Sequence, residues 1–320
     1  MKKVLVTGAN GYLGARISKH LAENGFEITA LCHSAPVQNF GWNNLIGEII
    51  IGDINNKDVF NEIISQDFYA VIHLISLDHN KSESDPVFVS SVNVVPTWML
   101  LNNLILTNVK KFIYFSTFQV YGKIDKGLVS ETNDVYPANS YGLTHLLSEN
   151  ICNYYSRKRN ISCINIRLTN SYGSPVFLNN NCWWLVVNDL CKTAFEEAQI
   201  KLLSDGSPQR DFVHVSDVSR VTQFLLELND LGSTTLNFSS GQTITILELA
   251  HLVKVVFGKR YGQDIPIYLV DHSISEKNNN TISNRYIVNN EKILKMGFQF
   301  KMNLETGINE LFDYLEKLNG

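Results

Sequence analysis

The 320-residue chain is short of several features that mark special classes of protein. Its five cysteines, Cys32, Cys152, Cys163, Cys182 and Cys191, form no Cys-x-x-Cys pair and leave an odd count. That pattern argues against a disulfide framework and a zinc site, and it fits a reducing, cytoplasmic setting. A basic excess is missing as well, because 27 Lys and Arg stand against 31 Asp and Glu for a formal net charge of −4. No nucleic-acid partner is expected, since such binders carry a surplus of phosphate-neutralising cations. Long hydrophobic runs are absent: the block from Tyr69 to Leu77 is broken by His73 and Ser76. No membrane association is therefore expected. The run after Met1-Lys2-Lys3 is ended by Gly8, which is too early for a signal peptide. No internal repeat or low-complexity linker interrupts the chain. The asparagine runs Asn179 to Asn181 and Asn278 to Asn280 read as surface loops.

What is present is an ordinary globular composition, 44% apolar and 18% charged, long enough for a large α/β domain and a smaller companion. Short apolar runs alternate with helical patterns through the first half. Strands are predicted at Val4 to Val6, Glu27 to Leu31, Gly47 to Ile51, Ala70 to Leu74, Phe112 to Phe115 and Ser162 to Leu168. Helices are predicted at Tyr12 to Asn24, Val59 to Ile64, Val87 to Leu106 and Tyr141 to Arg159. Buried strands joined by crossover helices imply a doubly wound parallel sheet. The later chain is mixed, with helices at Val218 to Glu227 and Ile246 to Phe257, while Thr235 to Ser239 is placed to return to the main sheet. The expected division is residues 1–168, with a return around 216–240, followed by a substrate-covering domain over 169–320.

Thr7-Gly8-Ala9-Asn10-Gly11-Tyr12-Leu13-Gly14 joins the first strand to the first helix. In that context the glycines read as a dinucleotide loop of Rossmann type. Gly8 makes the turn, Gly11 admits a pyrophosphate, and Gly14 lets helix pack on sheet. The helix N-terminus then offers N–H groups to the phosphates. The second strand ends Leu31-Cys32-His33-Ser34, with neither an acid for ribose hydroxyls nor an arginine for a 2′-phosphate. NAD and NADP both stay open, with a lean to NAD. Asp53 is a candidate for the adenine amine or, alternatively, a turn cap.

Two further segments carry chemistry: the strand Phe112-Ile113-Tyr114-Phe115-Ser116-Thr117 leading into Phe118-Gln119-Val120-Tyr121-Gly122, and Pro137-Ala138-Asn139-Ser140-Tyr141-Gly142-Leu143-Thr144-His145. With the glycine loop they resemble the extended short-chain dehydrogenase/reductases, in the branch of nucleotide-sugar epimerases and dehydratases. The resemblance runs nearly the full length. It also takes in His73-Leu74-Ile75-Ser76, Asn93, Arg167 to Gly173, Gly206 to Val218, and Arg285 ahead of Asn289 to Phe298.

The resemblance implies Tyr141 as acid/base, Thr117 as its hydroxyl partner on the sugar oxygen, and an assisting group four residues after the tyrosine. That group is His145, where the family has lysine. Positions four apart share a helix face, so His145 is expected beside Tyr141 and at the nicotinamide ribose. It carries charge only when protonated. Expected cofactor contacts are Gly8, Asn10, Gly11, Tyr12, Leu13, Gly14, His33, Asp53, Ile54, Leu74, Ser76, Asn93, Tyr141 and His145. Expected substrate contacts are Thr117, Phe118, Gln119, Asn170, Arg210 and Arg285, with the Arg210 fork suited to a diphosphate unless it pairs with Asp211 or Asp217. Tyr154 with Lys158 repeats the tyrosine-to-lysine spacing outside that context, and reads as packing and solvated surface. Trp183-Trp184 reads as plain core.

Phe118-Gln119 stands where the family's 4,6-dehydratases have Asp-Glu. Neither side chain is a general acid or base, so hydride chemistry at a ring carbon is left. Epimerase or C4 dehydrogenase is the leading expectation, followed by an NADPH-dependent keto-sugar reductase and by a cofactor-binding protein without turnover. A homodimer is expected from the helices beginning at Val87 and Tyr141, with Val92, Val95, Met99 and Leu100 as the apolar face.

Overall fold

The computed structural model describes residues 1–104, 108–158, 161–229, 231–269 and 285–319. The first half alternates strand and helix: β1 (Lys2–Thr7), α1 (Tyr12–Glu23), β2 (Phe26–Cys32), α2 (Phe40–Asn43), β3 (Glu48–Ile51), α3 (Lys57–Ile64), β4 (Ala70–His73), α4 (Pro86–Asn93), α5 (Val95–Leu104), β5 (Lys111–Thr117), β6 (Gly127–Val129), α6 (Ser140–Lys158) and β7 (Ser162–Leu168). There follow β8 (Asn170–Tyr172), α7 (Val186–Glu197), β9 (Ile200–Leu202), β10 (Gln209–His214), α8 (Val215–Glu227), β11 (Thr234–Phe238), β12 (Thr243–Thr245), α9 (Ile246–Tyr261), β13 (Ile267–Leu269), β14 (Tyr286–Val288), α10 (Glu291–Lys295) and α11 (Leu304–Asn319).

Seven strands form one parallel sheet in the order β11-β7-β5-β4-β1-β2-β3. Successive side chains of β1 show why both faces are covered, since strand residues point alternately to opposite sides. Val4 and Val6 pack with Ala15, Ile17 and Leu21 of α1 and Val218, Val221 and Leu225 of α8. Leu5 packs the other way, with Phe60 of α3, Leu100 and Leu101 of α5 and Cys152 of α6. A separate core joins α7, α9 and α11 around Leu190, Leu249, Val253 and Phe312. Three small sheets, β12-β10-β8, β13-β9 and β14-β6, complete the chain.

The single long helix expected from Val87 is two helices, with α4 ending at Asn93 and α5 starting at Val95. Pro96 lacks the N–H that would continue the ladder, which accounts for the break. Together Pro86–Leu104 are long and apolar enough to cross a membrane, although 39% of that stretch is buried inside the protein. The sequence reading found no such stretch, because Asn93 and the proline obscured its length. The expected helix ends at Leu106 and Arg159, and the run Asn278 to Asn280, lie outside the described residues. All five cysteines are buried and free.

Candidate functional site

The loops that leave the carboxyl ends of β1, β4, β5 and β7 converge on one edge of the sheet, the edge at which open parallel sheets hold ligands. After β1 the chain turns at Gly8, whose φ of 69° favours glycine. The Gly11 N–H donates back to the Gly8 carbonyl at 3.0 Å. A Cβ on Gly14 would sit 2.1 Å from that carbonyl oxygen, so only glycine fits there. Gly11 is exposed and serves as N-cap of α1 without any side-chain cap. The first-turn N–H groups of α1 thus lack a side-chain acceptor behind a surface with no Cβ, which suits a pyrophosphate. The segments just past β2 and β8 brace the loop. Asn10 Nδ2 donates to the Ser34 carbonyl at 3.0 Å, and Tyr12 donates its phenolic O–H to the Gly173 carbonyl at 2.7 Å. Leu13 is half-buried beneath it.

The remaining residues expected at the cofactor divide into open and occupied. His33 is exposed just past β2, and Leu74 and Ser76 are half-buried just past β4. Asp53 Oδ1 accepts the Asn55 N–H at 2.8 Å, the turn-capping arrangement, and Ile54 is buried in the layer. Asn93 is a buried strut: its Oδ1 accepts from Leu77 N–H at 2.8 Å, and its Nδ2 donates to Ser82 and Thr144 hydroxyls.

Thr117, the last residue of β5, and Tyr141, in the first turn of α6, come together closely enough for the Thr117 hydroxyl to favour the ionised phenol. The Gln119 N–H donates to Thr117 Oγ1 at 3.2 Å, which leaves the hydroxyl proton free to donate elsewhere. Gly142 lets α6 approach this turn, for a Cβ there would lie 2.6 Å from the Gln119 carbonyl oxygen. Burial pushes the Tyr141 phenol up to about 12, against the lowering influence of Thr117, and the nearby Asp78 carboxylate raises it further.

His145 lies across the Tyr141 ring, with ring centroids 4.5 Å apart, as i, i+4 neighbours on a helix should. It is buried and both ring nitrogens are engaged: Nδ1 lies 2.8 Å from the Tyr114 phenol and Nε2 3.2 Å from Ser76 Oγ. Ser76 already donates its proton to the Leu77 carbonyl, so its oxygen accepts from Nε2–H, and Nδ1 accepts from Tyr114. Burial pushes this imidazole down to about 4. His145 is therefore a neutral link between β5 and the β4 loop, without charge near neutral pH. His79, exposed in the loop after β4, stands nearly at right angles to the Tyr141 ring, with centroids 6.3 Å apart. No motif marks it in the sequence.

On the substrate side, Phe118 stacks on Tyr286 at 5.6 Å and packs with Val120 and Tyr121. Gln119 Oε1 accepts from Asn139 Nδ2 at 2.8 Å. Asn170 Nδ2 donates to the Asp211 carbonyl at 2.9 Å. Arg285 is held by Glu248 and the Thr243 carbonyl, so its fork is occupied. Arg210 is exposed and its Nη1 donates to the neighbouring Gln209 carbonyl. Asp217 pairs with Arg220, and Asp211 accepts from Thr169, Ser240 and Gln242, so neither is the partner of Arg210. Trp184 is 58% exposed, which corrects the plain-core reading for that residue, while Trp183 packs on Tyr314. Tyr154 is likewise exposed, with Lys158 bonded to its phenol, rather than packed inside. A cleft of about 400 Å³ between α1 and α8, lined by His20, Arg220 and Phe298, contains none of these residues.

Sequence reasoning missed a buried ion pair behind the site. Arg167 Nη2 lies 2.8 Å from Glu149 Oε2, and Ser116 donates to Oε1 of the same carboxylate at 2.5 Å. Arg167 Nη1 also donates to the Tyr121 phenol, which donates to Asn237. The network ties β5, α6, β7 and β11 together.

Comparison with known proteins agrees with this architecture. The chain is 24% identical over 318 residues, 99% of each chain, to a putative UDP-glucose 4-epimerase of Methanocaldococcus jannaschii. Its fold matches a UDP-glucose 4-epimerase of Thermotoga maritima solved with UDP-glucose, with a TM-score of 0.83 and 23% identity over 99% of this chain and 100% of that one. It also matches a UDP-glucuronic acid 4-epimerase of Bacillus cereus solved with UDP-glucuronic acid and NAD, with a TM-score of 0.80 and 22% identity over 99% of each. A family model matches residues 4–238, and the chain belongs to the NAD dependent epimerase/dehydratase family.

Proposed function

We propose that the chain is an NAD-dependent 4-epimerase of a nucleotide-activated sugar. The observation that carries the reading is the nearness of Thr117 and Tyr141 at the sheet edge that also bears the glycine loop. The relatives named for 4-epimerisation of UDP-sugars, and the NAD bound in one of them, support the same choice.

In this reading Gly8, Gly11 and Gly14, with Asn10, Tyr12 and Leu13 around them, hold the pyrophosphate, and Ser76 and His145 border the nicotinamide end. His33 and Asp53 flank the adenosine end. NAD, when bound, supplies the reversible hydride acceptor at a ring carbon. Tyr141, once ionised, takes the proton of the C4 hydroxyl and later returns it, while Thr117 bonds the same oxygen. Arg210, with no carboxylate partner among the described residues, receives the diphosphate. Arg285 keeps Glu248 and so orders the approach of β14, and Gln119 and Asn170 border the sugar. The segments after β7 that do not return to the main sheet, those around α7, α9 and α11, cover the substrate.

We further propose a cytoplasmic homodimer. Phe88 of α4, Trp98 of α5, and Leu143, Leu147 and Tyr154 of α6 are large and exposed. Leu143 and Leu147 are one turn apart and Tyr154 is two turns further on, so the three share a face. Such a surface calls for a partner, and a second copy is the occupant proposed. Leu100, expected on this face, is instead buried in the core.

The test is incubation with a panel of nucleotide sugars, with and without added NAD⁺. The C4 isomer without net NADH is expected. Ketone with stoichiometric NADH would make the chain a C4 dehydrogenase. A protein that binds NAD yet transforms nothing would fit the loss of charge at His145, and would overturn the enzymatic reading.

A further inference from the structure

A Rossmann site for NAD ordinarily places an acid at the end of its second strand, to accept from the ribose hydroxyls. Here β2 ends at Cys32 and runs into His33 and Ser34. Burial pushes the Cys32 thiol up to about 11, so it is no anionic acceptor near neutral pH. Asp53, past β3, caps its own turn. The glycine loop reaches the end of β2 directly. Ala9 N–H donates to the Leu31 carbonyl at 3.0 Å, and Asn10 Nδ2 donates to the Ser34 carbonyl at 3.0 Å.

A segment that follows β8 comes to the same place. Its Gly173 carbonyl accepts from Tyr12, its Ser174 carbonyl from Arg16 at 2.6 Å, and its Val176 carbonyl from Asn39 Nδ2 at 2.8 Å. Phe177 is buried against Trp42, with ring centroids 5.1 Å apart. The Phe177 carbonyl then accepts the Asn180 N–H at 3.0 Å, a turn that brings Asn180 to the glycine loop. Asn180 Nδ2 donates to the Asn10 carbonyl at 2.9 Å. The asparagine run expected as a surface loop is exposed at Asn179 and Asn181 but half-buried at Asn180. A carbonyl can only accept, so Nδ2 must face Asn10, and the orientation of the amide is thereby fixed. Its Oδ1 is buried and has no hydrogen-bond partner among the described residues. Buried acceptors are normally satisfied, so the donor this one lacks belongs to a ligand or a water.

We propose that Asn180 takes the part of the missing acid: its Oδ1 accepts from a hydroxyl of the adenosine ribose of bound NAD, while its Nδ2 holds the glycine loop. The proposal rests on NAD lying at that loop. It moves the ribose acceptor from the end of β2 to the segment after β8, which meets the glycine loop at the end of β2. An amide oxygen is neutral, so it reads the ribose through the hydroxyl proton alone, without the charge that an acid would bring.

The experiment is a calorimetric titration of the full chain, freed of carried-over nucleotide, with NAD and with its analogues lacking the 2′- or the 3′-hydroxyl of the adenosine ribose. The parent should bind one of the analogues about three- to tenfold more weakly than NAD, the range of one neutral hydrogen bond. Asn180→Ala, and Asn180→Leu with the volume of the amide kept, should each bind NAD more weakly than the parent does, and should bind that analogue as tightly as NAD. A purely structural role, acting through Asn10, would weaken NAD and both analogues by one factor and leave their ratios as in the parent. That result overturns the proposal. So does a parent that binds both analogues as tightly as NAD, the outcome expected if a water satisfies Oδ1, and this measurement needs no variant. A parent that binds no NAD at all would overturn the cofactor reading itself, and the proposal with it.

Discussion

The Tyr114 phenol and His145 Nδ1 lie 2.8 Å apart in the core, and the same imidazole is pushed down to about 4 by burial. His73 is a second buried imidazole, pushed down to about 3 by burial and by the nearness of His145, with its Nε2 lacking a hydrogen-bond partner among the described residues. Both rings are neutral in the folded chain but take up protons below about pH 6.5 once unfolded. The unfolded state therefore binds more protons between roughly pH 4 and 6.5, and stability rises with pH through that window and levels off above it. Each imidazole costs about 2 kcal/mol of stability at pH 5 relative to pH 7. Denaturant titrations at the two pH values should show this loss, and His145→Gln should reduce it by about half. An unchanged pH dependence in His145→Gln would mean that the ring is charged or accessible when folded.

Gly11 and Gly14 should respond differently to substitution. A Cβ on Gly11 meets only the Gly8 carbonyl, at 3.1 Å, whereas one on Gly14 meets it at 2.1 Å. Gly11→Val is expected to fold and to lose NAD affinity by about tenfold or more, roughly 1.4 kcal/mol, because its side chain fills the place of the pyrophosphate. Gly14→Ala is expected to lower the melting temperature as well. Calorimetric titration with NAD alongside thermal melts separates the two, and parental affinity in Gly11→Val would remove the loop from the cofactor site.

The Glu149–Arg167 pair is almost wholly buried. Glu149→Leu leaves the guanidinium uncompensated and should cost about 3–5 kcal/mol in urea unfolding, whereas Glu149→Leu with Arg167→Met should recover most of the loss. A double variant as unstable as the single one would show that Ser116 and Tyr121, and not the charges, hold the four elements together.

Leu147→Glu places a carboxylate in the exposed apolar row of α6, twice over in a symmetric dimer. Sedimentation at micromolar concentration should find the parent dimeric and the variant monomeric, with the fold intact by circular dichroism. A monomeric parent would leave Phe88, Trp98 and Leu143 to another partner.

The sheet was largely legible in the sequence because buried strands and amphipathic helices differ in period. β7 was read with its observed ends, and β1 and β2 were one or two residues short, as ladder ends depend on neighbours. The helix α7 and the terminal α11 went unread, for their apolar residues serve a third core whose members come from distant segments. At the site, Thr117 lies by Tyr141 as the family resemblance implies, and His145 lies by Tyr141 as a spacing of four implies. Spacing cannot report burial, which makes His145 neutral, or the long-range contact that gives Arg285 to Glu248. His79 was invisible because a loop residue has no period to reveal what it faces.

The last prediction concerns dehydration. Loss of water from a hexose at C5 and C6 needs one group to take the C5 proton and another to protonate the departing hydroxyl. The residues after Thr117 are committed elsewhere. Phe118 lies nearly parallel to the Tyr286 ring, 14° between planes, and has no proton to exchange. The Gln119 carbonyl accepts from Asn139, whose own Oδ1 caps α6 through the Gly142 N–H at 2.7 Å, so the amide is part of the scaffold for Tyr141. With UDP-glucose and NAD, mass spectrometry should find no 4-keto-6-deoxy product, seen as loss of one water. Gln119→Glu should not create it. At neutral pH its carboxylate would keep the Asn139 bond, and Phe118 would still offer no second group. Gln119→Ala should loosen the start of α6 and slow any turnover that depends on Tyr141 while leaving NAD binding near parental. Appearance of the dehydrated sugar with the parent chain would mean that an acid–base pair other than the one at positions 118 and 119 faces C5 and C6.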